Sequence, residues 1–113
     1  METKRIAILS CLKATEVCSG AACFKAVNQR TNFFEVYKGA LVEVIGFFHC
    51  NGCTCDYEKD VSYLEKMNMM IKLKPDAIHV GKCTMIEGTE CPIITEMIQS
   101  FIQNDIIVVR GTH

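Results

Sequence analysis

The sequence predicts a single α/β domain of three layers on a four-stranded, mostly parallel sheet. Four short apolar runs are too brief to stand as helices, and the three segments between them repeat their apolar residues at helical spacing, so strand and helix alternate along the chain. Size agrees: 113 residues, 50% of them hydrophobic and 22% charged, suit one compact core. Residues 1–113 therefore read as one domain, with no internal repeat, low-complexity tract or linker.

Each element has its own signal. Ile6, Ala7, Ile8 and Leu9 form a continuous apolar run that suits a buried parallel strand over Lys4 to Ser10, ending at Cys11. Ser19 is placed to cap a first helix, from Gly20 to about Arg30, with Ala22, Cys23, Ala26 and Val27 on one face. Thr31 to Gly39 follows neither period and reads as a short helical turn or packed loop. From Leu41 to Phe48 a β-branched and aromatic run predicts a central strand ending at His49 and Cys50. Asn51-Gly52 then turns the chain, and Asp56 is placed as cap or first-turn acid of a helix running to about Lys74. Tyr57, Val61, Leu64, Met67 and Ile71 mark its predicted buried stripe, and Pro75 closes it. A third strand spans Ala77 to Gly81, and a turn-rich loop through Gly88 leads to Cys91-Pro92, where proline suits the first position of a helix. Ile94, Met97, Ile98 and Phe101 give that helix its buried face as far as Asn104, and Ile106 to Val109 is the fourth strand. The order is that of a flavodoxin- or Rossmann-like sheet with right-handed crossovers.

Twelve basic and thirteen acidic residues are interspersed, so no basic stripe offers itself to nucleic acid or to an anionic membrane. The longest uncharged apolar stretch, Val44 to Phe48, is far short of the roughly 20 residues that cross a bilayer, and Met1 to Arg5 lead into a strand rather than a signal-peptide core. The expectation is a soluble, unexported, cytoplasmic protein with no nucleic-acid and no membrane partner.

Eight cysteines and three histidines are the unusual feature. A secreted disulfide scaffold is disfavoured by the long helical and strand patterns; in a reducing compartment the same count points to metal or thiol chemistry. Ligands of open α/β sheets bind beyond the carboxyl ends of the strands, and there the sequence gathers its sulfur. Cys11 follows the first strand, His49 and Cys50 end the second, Cys83 follows the third and His113 lies past the fourth. Cys53 and Cys55 occupy the loop after the second strand, Cys91 opens the third helix, and Cys18 and Cys23 flank the start of the first. Thiolates crowded together repel one another, and a bound cation relieves that repulsion; thiolate and neutral imidazole are preferred zinc ligands, and thiolates also hold iron–sulfur clusters. Cys11, Cys50, Cys53 and Cys83 lead the ligand candidates, with Cys18, Cys55, Cys91, His49 and His113 behind them.

The strand-ending Cys11, the Cys18-Ser-Gly-Ala-Ala-Cys23 stretch, Cys50-Asn-Gly-Cys53, Cys83, Cys91-Pro92 and Gly111-Thr112-His113 together resemble the CGGC-domain family across essentially the whole chain. That resemblance implies a metal-binding domain, with zinc the metal inferred from its cysteines and histidines, and leaves the biochemical role open. Asn51 replaces the first glycine of the family core, and Ile93 stands where members often carry histidine after Cys-Pro.

The competing reading is thiol–disulfide or metal-reducing chemistry at Cys50-x-x-Cys53, a pair set between a strand and a helix as in thioredoxin. It leaves Cys11, Cys83 and Cys91 idle. A metal carrier that delivers its ion to a protein partner is a third reading, and the sequence names no such partner. Cys23 suits a small core residue as well as a ligand. His79, between Ile78 and Val80, reads as a core or sheet histidine, and Glu87 and Glu90 as exposed loop carboxylates.

Overall fold

A computed structural model describes residues 2–113. Strands β1 (Thr3–Ser10), β2 (Leu41–His49), β3 (Ala77–Val80) and β6 (Ile107–Arg110) form one four-stranded sheet in the order β2-β1-β3-β6, and every pairing in it is parallel. The helices are α1 (Ala21–Gln29), α2 (Val61–Leu73) and α3 (Pro92–Gln103). The fold class predicted from sequence is the one observed.

Side chains of β1 alternate between faces, as a pleated strand requires. Ile6 and Ile8 face Cys23, Ala26 and Val27 of α1 together with Phe34 and Tyr37, whereas Ala7 and Leu9 face α2 and α3. One helix thus covers one face and two cover the other. Right-handed crossovers demand this, because the chain steps one way from β1 to β2 and the other way to β3 and β6. On α3 all four predicted core residues, Ile94, Met97, Ile98 and Phe101, are fully buried, each contributing about 1.5–3 kcal/mol of apolar burial.

Several local expectations are corrected. The apolar run of β2 predicts a central strand, yet β2 lies at the sheet edge, as does β6. Cover on both faces explains the run instead: Phe47 packs on the α1 side, and Gly46 lies where a Cβ would come within 2.7 Å of Met70. The cap of α1 is Gly20 rather than Ser19, with φ 82° and no side-chain bond; a Cβ there would stand 2.9 Å from the Phe47 ring. Asp60, not Asp56, caps α2, accepting the Tyr63 N–H at 2.8 Å, while Asp56 closes a turn by accepting from Glu58. The predicted stripe holds at Met67, which is buried, and at Tyr57 and Ile71, which pack against the core. Tyr63, Met67 and Met70 face inward, and Val61 and Leu64 stand exposed. The short helical turn expected within Thr31 to Gly39 is present as a 3-10 helix, Asn32–Tyr37, and the loop after β3 contains a hairpin, β4 (Met85–Ile86) with β5 (Thr89–Glu90).

Candidate functional site

β1 connects through α1 to β2 on one side of itself, while β3 lies on its other side, so the carboxyl ends of β1 and β3 form the topological switch point of the sheet. Crossovers leave in opposite directions there and leave a crevice open. Cys11 follows β1, and Cys83 sits in the 3-10 turn Lys82–Thr84 after β3. The two meet: the Cys11 backbone N–H donates to Cys83 Sγ at 3.3 Å. A cavity of about 380 Å³ opens beside them, and its walls include Cys18, Cys23 and His113 with the apolar Ala14, Ala22 and Phe47.

The thiols there influence one another. Burial is the main cause that pushes the Cys83 thiol above its ordinary value; the Cys11 N–H pulls against it, and the neighbouring Cys11, Cys23 and Cys18 add to the push. Cys18 is exposed and accepts the Gly20 N–H at 3.4 Å. Cys23, in the first turn of α1, is buried, with Sγ 3.2 Å from Thr112 Oγ1 and 3.8 Å from His113 Nδ1. Thr112 is itself fully buried and lies 2.9 Å from His113 Nδ1.

His79 braces this tail from beneath. It is fully buried within β3, stacked on Phe34 with ring centres 4.3 Å apart. Nδ1 faces the Gly111 carbonyl at 3.1 Å and so carries the proton, which leaves Nε2 to accept from the Tyr37 hydroxyl at 2.7 Å. Burial lowers the His79 pKa, and the Gly111 carbonyl opposes that only in part. Gly111 turns the chain at φ 132° against the face of Phe33, where a Cβ would stand 2.5 Å from the ring. The core reading of His79 is the one observed, and that core histidine positions the segment bearing His113.

The loop after β2 is built differently. Cys50 is buried, Cys53 is exposed, and both line a shallow groove shared with Cys11. The Asn51 N–H donates to Tyr57 Oη at 3.1 Å, and the Tyr57 hydroxyl donates to the Gly52 carbonyl at 2.7 Å. Lys66 reaches over from α2 to donate to the His49 carbonyl at 2.8 Å and to Asn51 Oδ1. Burial lowers the Lys66 pKa, against the pull of Cys50, Cys55 and Asp60, and pushes the Tyr57 hydroxyl well up. His49 shares a hydrogen bond with Ser10 Oγ, and its pKa is lowered first by burial and then by the Lys66 charge.

The nine sequence candidates therefore separate. Cys11, Cys18, Cys83 and His113 share the cavity; Cys50 and Cys53 lie in the adjoining groove; His49 is tied to Ser10 on the cavity wall. Cys55 and Cys91 pack against the core beneath α2 and α3. Cys23 joins the cavity, and its place in the Cys18–Cys23 stretch was the available signal; Thr112 joins it through Cys23 and His113, its only sequence signal being its place in the Gly111-Thr112-His113 stretch. The donors suit a soft cation in kind. Among the described residues, however, no three of His, Cys, Asp and Glu stand close enough to hold an ion as they lie.

A family model described as CGGC domain matches residues 5–113. The chain is also similar to an uncharacterized protein of Methanocaldococcus jannaschii, MJ0582, at 33% identity over 122 aligned positions that cover 96% of this chain and 86% of the relative. No solved structure matches. Among the described residues no helix is long and apolar enough to cross a membrane.

Proposed function

The chain belongs to the CGGC-domain family, and from that premise we propose that it binds a soft, thiophilic metal ion, zinc first among them, at the switch point of the sheet. One observation carries the reading: Cys11 and Cys18 from the connection after β1, Cys83 after β3 and His113 after β6, three separate segments, line a single cavity. These four would hold the ion, with Cys23 behind them, and side-chain rotation has to bring the third and fourth donors to the Cys11–Cys83 pair. An ion so held supplies Lewis acidity if one coordination position stays open, and structural cross-linking if none does. The chain's own contribution is orientation. Two backbone N–H groups point at Cys83 and Cys18, and Thr112 fixes the His113 ring. An iron–sulfur cluster is the second cofactor the thiols would suit. Thiols must be reduced to bind, so a cytoplasmic location is part of the proposal.

The thiol–disulfide reading loses support from the position of α2. That helix starts only at Val61, so its first turn does not follow directly on the Cys50–Cys53 pair as the thioredoxin arrangement requires.

Cadmium titration followed by its thiolate charge-transfer absorption tests the proposal. Cys11→Ser and Cys83→Ser each weaken binding by more than about 100-fold, since even groups that only support a ligand are worth about 10–100-fold. Cys53→Ser leaves the band in place. A band lost with Cys53 and kept without Cys11 or Cys83 overturns the reading.

A further inference from the structure

The cavity is much larger than an ion needs, and its shape distinguishes among thiophilic ligands. Cys11 and Cys83 already adjoin, the Cys11 backbone N–H lying 3.3 Å from Cys83 Sγ, whereas among the described residues no third donor stands close enough to complete an ion site with them. The remaining wall is mainly apolar: Ala14 and Ala22 flank it, and Phe47 presents its ring because Gly20 has no Cβ to exclude it. Of the side chains that line it, Lys82 is the only one with a permanent charge. A divalent ion held by three thiolates adds one net negative charge that Lys82 alone is placed to offset, whereas a neutral adduct adds none and avoids the cost of burying charge.

We infer that the switch-point cavity takes a neutral trivalent organoarsenical, or a metalloid compound of the same chemistry, bonded to Cys11 and Cys83 with its organic substituent against Ala14, Ala22 and Phe47. The inference rests on the reading that these thiols are ligands and names their substrate class. The reaction is an exchange without redox change. An arsenic(III) centre carrying one carbon substituent and two hydroxyls meets two thiols; two As–O bonds break, two As–S bonds form, and each thiol proton leaves with a hydroxyl as water. Arsenic stays trivalent, carbon stays attached, and the product is neutral like the reactants. A pair of thiols suffices for this ligand, and an apolar wall favours its substituent, so both features of the cavity are used.

The test uses the reduced full chain with phenylarsine oxide, inorganic arsenite and cadmium as separate probes. Intact mass and thiol counting are expected to show one phenylarsine per chain with two thiols consumed, and peptide mapping of the unaltered protein places the bridge between Cys11 and Cys83. Phenylarsine binds on the order of tenfold more tightly than arsenite, about 1.4 kcal/mol. Ala22→Leu, which narrows the apolar wall and leaves every sulfur in place, reduces that ratio. A bridge mapped to other cysteines, or arsenite binding as tightly as phenylarsine, overturns the inference. Cadmium bound at Cys11 and Cys83 with no phenylarsine bridge there overturns the inference and leaves the metal-binding reading standing. No cadmium and no phenylarsine at these thiols overturns both.

Discussion

Two cysteine regions lie at the same edge of the sheet and differ in what fills the space behind them. At the switch point the chain leaves β1 and β3 in opposite directions, no crossover covers the gap, and the thiols of Cys11, Cys18, Cys23 and Cys83 surround open volume. At the edge strand β2 the chain continues into a loop that Tyr57 and Lys66 pin down, so Cys50 is buried against protein and Cys53 points outward. Cysteine density is similar in both. Chain direction decides which group shares a cavity.

If the cavity depends on a braced tail, the largest effect comes from Gly111→Ala. The substitution places a Cβ at φ 132° and within 2.5 Å of the Phe33 ring, and is expected to cost about 3 kcal/mol in urea unfolding while weakening cadmium binding through misplaced His113. Unchanged stability with normal binding breaks the account of the tail.

His79→Leu comes next, at about 2–3 kcal/mol, because it leaves the Tyr37 hydroxyl and the Gly111 carbonyl without their partner in a buried setting. The same histidine sets a pH dependence. His79 and His49 both have lowered pKa values in the folded protein, so the unfolded chain binds more protons as pH falls below the ordinary value of 6.5. Stability is full above that value and declines on acidification, with a shallower decline in the His79 variant. Denaturant midpoints at pH 7 and pH 5 measure it; a rise on acidification contradicts the neutral, buried assignment.

The edge loop supplies the smallest change. Lys66→Met removes the donor to the His49 carbonyl and Asn51 and costs about 1 kcal/mol. It is expected to speed alkylation of Cys50, read by mass spectrometry, and to leave cadmium binding at the cavity unaltered. An equal effect on both regions would merge what the structure separates.

Periodicity located every strand of the main sheet and the buried face of α3, because a run of four apolar residues or an i, i+3, i+4 stripe leaves few alternatives. It succeeded only in part on α2, where Tyr57, Met67 and Ile71 pack on the core as expected but Val61 and Leu64 do not. There packing against the sheet buries Tyr63 and Met70 instead, a choice that helical spacing leaves open. It also misplaced β2, since an edge strand covered on both faces reads like a central one.

The sequence by itself determined the alternation of strand and helix, the family and the gathering of cysteines after strand ends, since each follows from local residue order. Tertiary structure alone decided which of those cysteines share a space. The sheet order sets β1 between β2 and β3, so Cys11 adjoins Cys83 at the switch point while also bordering the groove of Cys50, and the packed side chains of Tyr57, Lys66 and Phe47 determine where volume is filled and where it stays open.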